Sequence, residues 1–167
     1  MRGRSIGAVL LSGLTLAAGA SASAAAPPGA GTAAEQSFLA RNAKAEGVVA
    51  LAGLQYKILK SGPADGPHPL RSDDVTVRYE ARFADGKVFG SSADGGAGIE
   101  VFPLQKLIPG WIAAVQLMRP GDIWMLYVPA YLAYGAAGKP TYIPPDSTLV
   151  FRVELVAAWP HGESPAR

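Results

Sequence analysis

Few residues in this chain have the types and spacing that reaction chemistry needs. Ser91 and Ser92 are adjacent hydroxyls, but no histidine stands where the pattern would supply a base, so nucleophilic catalysis is unsupported. Gly95-Gly96-Ala97-Gly98 is rich in glycine, yet it holds no Lys and opens no helix, which makes it a weak phosphate cradle. Asp73 and Asp74 are neighbours. In a strand they point to opposite faces, so a working carboxylate pair is unconvincing and a solvated strand start is expected. The absence of cysteine excludes disulfides, thiolate metal sites, thiol nucleophiles and a lipid-modified N-terminal Cys. His68 and His161, the only two histidines, make a histidine-built metal centre improbable, and no cofactor or metal is expected. What stands out is aromatic and proline-rich: Tyr131-Leu132-Ala133-Tyr134-Gly135, followed by Tyr142-Ile143-Pro144-Pro145. A loop this apolar either covers a core or lines a site, and the pattern leaves those two readings even.

The elements that must hold these residues fit one domain. The chain has 167 residues, and 49% of them are apolar, which supplies a core and argues against a disordered chain. Gly and Pro number 20 and 14, a density that favours turns and short strands over long helices. The net charge of +2 comes from Arg2 and Arg4: without them 13 basic residues face 13 acidic ones. A neutral remainder leaves no electrostatic footprint for nucleic acid.

The first residues form an address. Arg2 and Arg4 precede an uncharged apolar stretch, Ile6 to Ala20, and then a run of Ala and Ser. This order is that of a secretory signal peptide over 1–24, cut after Ala24, with Ala22 and Ala26 as neighbouring sites. The stretch is short for a membrane span, so an uncleaved anchor is the lesser reading. The product is expected to be exported and soluble, in the periplasm if the source is a Gram-negative bacterium. Residues 25–50 read as a flexible Pro/Gly/Ala tail and a short helix, Glu35 to Glu46, ending at Gly47. That helix could pack on the domain or be the stub of an interaction arm.

From Leu51 short strands follow. Leu54, Tyr56 and Ile58 alternate with polar residues, as do Val75, Val77, Tyr79, Ala81 and Phe83. Ala84-Asp85-Gly86-Lys87 signals a hairpin, with Val88-Phe89 as the return strand. Ser91 to Gly98 reads as a loop or bulge and Ile99 to Leu104 as a strand. Pro109 to Met118 is the domain's helix, with Trp111, Val115 and Met118 on one side. Ile123 to Val128 is continuously apolar and reads as a strand buried on both faces. Leu149, Phe151, Val153 and Leu155 alternate in a closing strand. Strands around one short helix make an α+β domain, an antiparallel sheet with the helix across one face.

Three stretches, in order, carry a resemblance. The first is Val77-Arg78-Tyr79 with Asp85-Gly86-Lys87-Val88-Phe89 and Ser91-Ser92. The second is Phe102-Pro103-Leu104 with Leu107-Ile108-Pro109-Gly110-Trp111. The third is Ala133-Tyr134-Gly135 with Ile143-Pro144-Pro145 and Ser147 to Leu155. Together they resemble the FKBP family of macrolide-binding peptidyl-prolyl isomerases over roughly Gly53 to Ala157. Gly53-Leu54-Gln55-Tyr56 and Phe38 to Asn42 are similar to its exported branch, the macrophage infectivity potentiator type. That branch often carries a long helical dimerisation segment. Only the Glu35–Glu46 stretch stands there, so a monomer is expected. The expected layout is a signal peptide over 1–24, tail and helix over 25–50, isomerase domain over 51–158 and C-terminal tail over 159–167.

The resemblance implies an FKBP-like half-barrel of five to six antiparallel strands around one short helix, with a pocket between helix and sheet. Its catalytic residues map onto Tyr79, Phe89, Ile108, Trp111, Tyr134 and Phe151, and further substrate contacts onto Leu107, Tyr142 and Ile143. Trp111 would be the floor, and Tyr79, Phe89 and Phe151 the walls. The Ile108 N–H and the Tyr134 hydroxyl would donate to substrate carbonyls. The substrates implied are proline-containing unfolded or nascent exported polypeptides, with macrolides such as tacrolimus or rapamycin as further ligands. By residue type alone, Trp111, Tyr79 and Phe151 would be core in almost any fold. One departure matters: the family commonly has Asp directly after the pocket Phe, where this chain has Gly90. The alternative is therefore a catalytically weak chaperone or binding module. Lys139 and Tyr142 fall in a variable distal loop, where they would shape the rim.

Overall fold

The computed structural model describes residues 31–163. The expected signal peptide lies outside the described residues, as do most of the Pro/Gly/Ala tail and the last four residues. The elements are α1 (Ala33–Asn42), β1 (Val48–Leu51), β2 (Leu54–Lys60), β3 (Asp73–Phe83), β4 (Val88–Ser91), β5 (Glu100–Pro103), α2 (Pro109–Val115), β6 (Ile123–Val128) and β7 (Leu149–Pro160).

All seven strands pair antiparallel in one sheet of order β1-β2-β6-β7-β3-β4. The outer edge of β3 is shared: β4 pairs with Glu80–Arg82 and β5 with Asp74–Val77. Between them the chain makes a 3-10 turn at Ser92–Gly95, inside the stretch expected as a loop or bulge. Six of the strands are those expected. The seventh is β1, whose Val48 to Leu51 pair with Lys57 to Leu54 ahead of the expected start of the strand run.

Alternation decides which face each side chain meets. In β3, Val77 and Ala81 are buried while Arg78 and Arg82 are exposed. The same period corrects the reading of β6. Trp124, Leu126 and Val128 are buried, but Ile123, Met125 and Tyr127 are only half-buried, so the strand has one deep face. The cause is what covers the outside: a single short helix, α1, whose Phe38 meets Tyr127 at 6.2 Å between ring centroids.

Helix α2 crosses the inner face. Pro109 takes the first helical position, where its missing N–H costs no bond. Gly110 is required by contact: a Cβ there would lie 2.4 Å from Val128 Cγ1. The helix is shorter than the expected Pro109–Met118. Leu117 and Met118 donate to Ala114 and Val115, i to i−3, so the last turn tightens. Trp111, Val115 and Met118 are all buried in the core, as their shared side requires.

Helix α1 begins earlier than Glu35 because Thr32 caps it. The Thr32 hydroxyl accepts the Glu35 N–H while the Glu35 carboxylate accepts the Thr32 N–H, a capping box. It ends at Asn42, where Lys44 and Ala45 turn back onto Arg41 and Asn42. No residue of α1 is buried, yet it docks on the sheet. Asn42 Nδ2 donates to Gln55 Oε1 and Gln55 Nε2 to Leu39 O, both at 2.9 Å. The Thr148 N–H donates to Glu35 Oε1 at 2.6 Å.

Asp73 corrects another expectation. It is 8% exposed rather than solvated, because its Oδ2 accepts the Leu70 N–H at 2.8 Å as Asp73 N donates back to Leu70 O. Asp74 instead holds His161 Nδ1 at 2.7 Å. The two carboxylates thus work apart, each on its own partner.

Candidate functional site: an aromatic pocket between helix and sheet

A cavity of about 460 Å³ opens between α2 and the sheet. Each wall comes from a different element. Strand β3 gives Tyr79 and Ala81, β4 gives Phe89 and Gly90, β5 gives Glu100 and Phe102, and β7 gives Phe151. The connection into α2 gives Leu107 and Ile108, and α2 gives Trp111. Tyr134, Lys139, Tyr142 and Ile143 come from the loop between β6 and β7. All nine residues singled out from the sequence are thus brought to one cavity.

The floor is Trp111, 4% exposed, held by two rings at right angles. Tyr79 meets it edge-on at 5.6 Å and 86°, Phe151 at 5.4 Å and 88°. Edge-to-face pairs of this kind suit the ring quadrupoles and fix ring orientation. Phe89 stands edge-on to Phe151 at 6.4 Å and is backed by Phe83 at 4.6 Å. Ile143 is buried too, turned inward by mutual bonds between Lys139 and Ile143, each N–H to the other's carbonyl at 2.8 Å. That small bridge projects Tyr142 to the rim, where it is 70% exposed. Lys139 Nζ lies 6.0 Å from the Tyr134 ring centre and 5.8 Å from that of Tyr142, so its charge sits between two aromatic faces.

The polar groups in the cavity are few. The Ile108 N–H, just before α2, meets no acceptor among the described residues. Half-exposed Tyr134 has a hydroxyl that bonds to no described residue. The phenol of Tyr79 is different: it donates to Glu100 Oε1 at 3.4 Å. Burial, then the Glu100 carboxylate beside it, pushes the Tyr79 phenol above its ordinary value, with smaller effects from Asp94 and Tyr134. It therefore stays protonated, and remains a donor, at neutral pH.

The other candidate chemistry is structural. Ser92 is buried and stitches the gap between β4 and β5: its Oγ accepts the Tyr79 N–H and donates to Gly98 O, both at 3.1 Å. His68 Nδ1 donates to Met118 O at 3.0 Å. Among the described residues no three His, Cys, Asp or Glu side chains converge as metal ligands. The pocket can bind an apolar group and receive a carbonyl at the Ile108 N–H, and among its described lining residues there is no serine, threonine, cysteine or histidine.

Sequence reasoning missed Ala81, Glu100, Phe102 and Lys106 as lining residues. A signal for Glu100 existed. Phe102 pairs with Val75 and Glu100 with Val77, so both lie on the core face. Counting back two from an inward Phe102 places Glu100 inward as well.

The chain is similar to known proteins along most of its length. The family model for the FKBP-type peptidyl-prolyl cis-trans isomerase matches residues 66–156. Peptidyl-prolyl cis-trans isomerase Mip of Coxiella burnetii is 46% identical over 123 residues, 73% of this chain and 52% of that protein. The FKBP-type 22 kDa peptidyl-prolyl cis-trans isomerase of Escherichia coli is 47% identical over 120 residues, 71% of this chain and 57% of that protein. The chain spans about half the length of the curated relatives it matches. The crystal structure of a peptidyl-prolyl cis-trans isomerase from Pseudomonas syringae pv. tomato superimposes with a TM-score of 0.69 at 39% identity, covering 75% of this chain and 90% of that one. That of FkpA from Escherichia coli gives 0.72 at 39% identity, covering 77% and 59%.

Proposed function

The chain belongs to the FKBP-type peptidyl-prolyl cis-trans isomerase family, and we propose from this premise that it catalyses rotation about X-Pro bonds in exported polypeptides. The observation that carries the reading is the pocket itself: three aromatic walls on a Trp111 floor, with the unpaired Ile108 N–H at its edge.

The chemistry asks for little more. An X-Pro bond interconverts unaided over roughly tens to hundreds of seconds. The barrier is the partial double bond of the amide, which the twisted transition state loses. The twisted nitrogen is more amine-like and less dependent on polar solvent. A dry aromatic cavity therefore binds the twisted form better than the planar one, which is catalysis by differential binding. The proline ring would sit between Tyr79, Phe89 and Phe151, over Trp111. The Ile108 N–H and the Tyr134 hydroxyl would hold the flanking carbonyls, while Leu107, Ile143 and Tyr142 would meet the neighbouring side chains. No proton is transferred and no covalent intermediate forms.

The deciding experiment is cis/trans exchange of a short Leu-Pro peptide by NMR, with wild type beside the double variant Tyr134→Phe, Trp111→Leu. Catalysed exchange that the variant abolishes is expected. A wild type that exchanges no peptide would overturn the reading.

The same proposal places residues 1–24 as a signal peptide and 51–158 as the isomerase domain, with β1 lending an edge strand. Among the described residues no helix is long and apolar enough to cross a membrane. Export to a bacterial periplasm would leave a mature chain starting at Ala25, which intact mass of the secreted product tests. The apolar walls also suit a macrolide such as tacrolimus or rapamycin, and a monomer completes the picture. Ligand displacement and sedimentation check those two points.

A further inference from the structure

Among the described residues Glu100 is the one carboxylate lining the aromatic pocket. It occupies a position that the strand pattern assigns to an apolar residue. In β5 the register Val75↔Phe102 and Val77↔Glu100 sets both β5 side chains on the core face, beside Tyr79. Phe102 follows the rule and packs near Tyr79, ring centres 6.3 Å apart. Glu100 breaks it, and its Oε1 lies 3.4 Å from the Tyr79 hydroxyl. Further along the same edge of β3, opposite Ala81, position 90 is glycine, and a Cβ built there meets nothing within 4 Å. The cavity thus has room for a side chain after Phe89 and none is present. The acceptor for Tyr79 comes instead from β5.

We propose that Glu100 is a positioning residue of this pocket: its carboxylate holds the Tyr79 phenol, and so the Tyr79 ring, edge-on against Trp111. The inference rests on the isomerase reading above and adds a residue to it. Tyr79 is only half-buried, and its ring would otherwise be held by packing alone. A charge-assisted bond to its outer end fixes the wall that a substrate proline must slide past. The 3.4 Å separation is long for O–H···O, as such bonds are in pockets that tighten on binding substrate. Glu100 touches no reacting atom; it acts through Tyr79.

The test combines rates with a signal from Tyr79 itself. Glu100→Ala is expected to lower catalysed exchange by about tenfold, mainly in kcat, from loss of one bond to a charged acceptor. Glu100→Gln keeps an acceptor of the same length and is expected to retain most of the rate. In a Tyr79→Phe background, where the hydroxyl is gone, Glu100→Ala should cost nothing further, since the two act as a unit. The titration of Tyr79, followed by ring-labelled tyrosine NMR without substrate, should move to lower pH in Glu100→Gln because the facing charge is removed. Rates that fall additively in the double variant, or a Tyr79 titration unmoved by Glu100→Gln, would overturn the pairing. The titration decides it even if wild type exchanges no peptide, in which case the isomerase reading falls separately.

Discussion

Removing the Glu35 side chain should loosen a contact far from it in sequence, the entry to β7. One carboxylate serves two partners. Oε2 closes the capping box on Thr32 N at 3.1 Å, and Oε1 accepts the Thr148 N–H at 2.6 Å. Thr148 is fully buried, so Glu35→Ala leaves its N–H without acceptor or water. Thr32 still caps the backbone N–H of residue 35; the lost bond from the Thr32 N–H is worth about 1 kcal/mol, and the orphaned buried donor about 1–3 kcal/mol, so Glu35→Ala should cost roughly 2–4 kcal/mol in all. Glu35→Gln keeps one acceptor oxygen and should cost about 1 kcal/mol, the difference between a charged and a neutral acceptor. Urea unfolding gives the totals, and amide exchange at Thr148 locates them. If α1 merely undocks, the loss in global stability is capped at what docking contributes, while Thr148 and the α1 amides lose protection together. A Glu35→Ala protein with unchanged Thr148 protection, or a loss below about 0.5 kcal/mol, which is within the range of ordinary surface changes, would refute the clamp.

Three further outcomes are expected. Gly110→Ala would press a Cβ to within 2.4 Å of Val128 Cγ1; the overpacking should cost about 1–3 kcal/mol and, by shifting α2 under Trp111, slow exchange as well, as denaturation and peptide NMR would show. Thr148→Val removes a fully buried hydroxyl that has no partner among the described residues, so stability should rise by about 1 kcal/mol; a fall in urea midpoint would contradict that. Tyr79 and Tyr127 both hold their protons above the ordinary tyrosine value of 10.0, chiefly through burial. The folded state therefore binds those protons more tightly than the unfolded one. Their contribution is complete below that value and is lost as pH rises past it, so the urea midpoint should decline as pH rises through and beyond 10.0.

How legible the sequence was depended on the range of the interaction. Period-two patterns marked β2, β3 and β7 because one buried face imposes them locally, while β4 followed from the hairpin before it and β6 from a continuous apolar run. The hairpin at Asp85-Gly86 was legible for the same reason: Gly86 sits at a φ of 90° that side chains avoid. The early start of α1 was also written locally, as Thr32-Ala33-Ala34-Glu35, but the neighbouring Pro/Gly/Ala composition masked the capping signal. Strand β1 was not legible, since Val48–Leu51 is mostly exposed and exists only because Leu54–Lys57 folds back on it. The burial of Asp73 depends on a turn back to Leu70, and the outer face of β6 on how little α1 covers. The pocket residues were found through family motifs rather than periodicity, which marks inward aromatics and cannot tell a wall from a core.

That distinction is a matter of what is missing rather than of what is present. An inward aromatic becomes a wall when its neighbours fail to close over it, and here the failures are traceable. Gly90 contributes no side chain where a Cβ would meet only open space. Glu100 puts a half-buried carboxylate on the face where Phe102, two residues on, puts a ring. The 3-10 turn at Ser92–Gly95 splits the outer edge of β3 between two short strands. Filling either gap would test the idea from the opposite side: Gly90→Leu should extend the core over Phe89, and with it raise stability while lowering exchange. A variant that gained stability by about 1 kcal/mol, the value of burying a methylene or two, and kept full turnover would mean the opening beside Phe89 is not the one through which substrate enters.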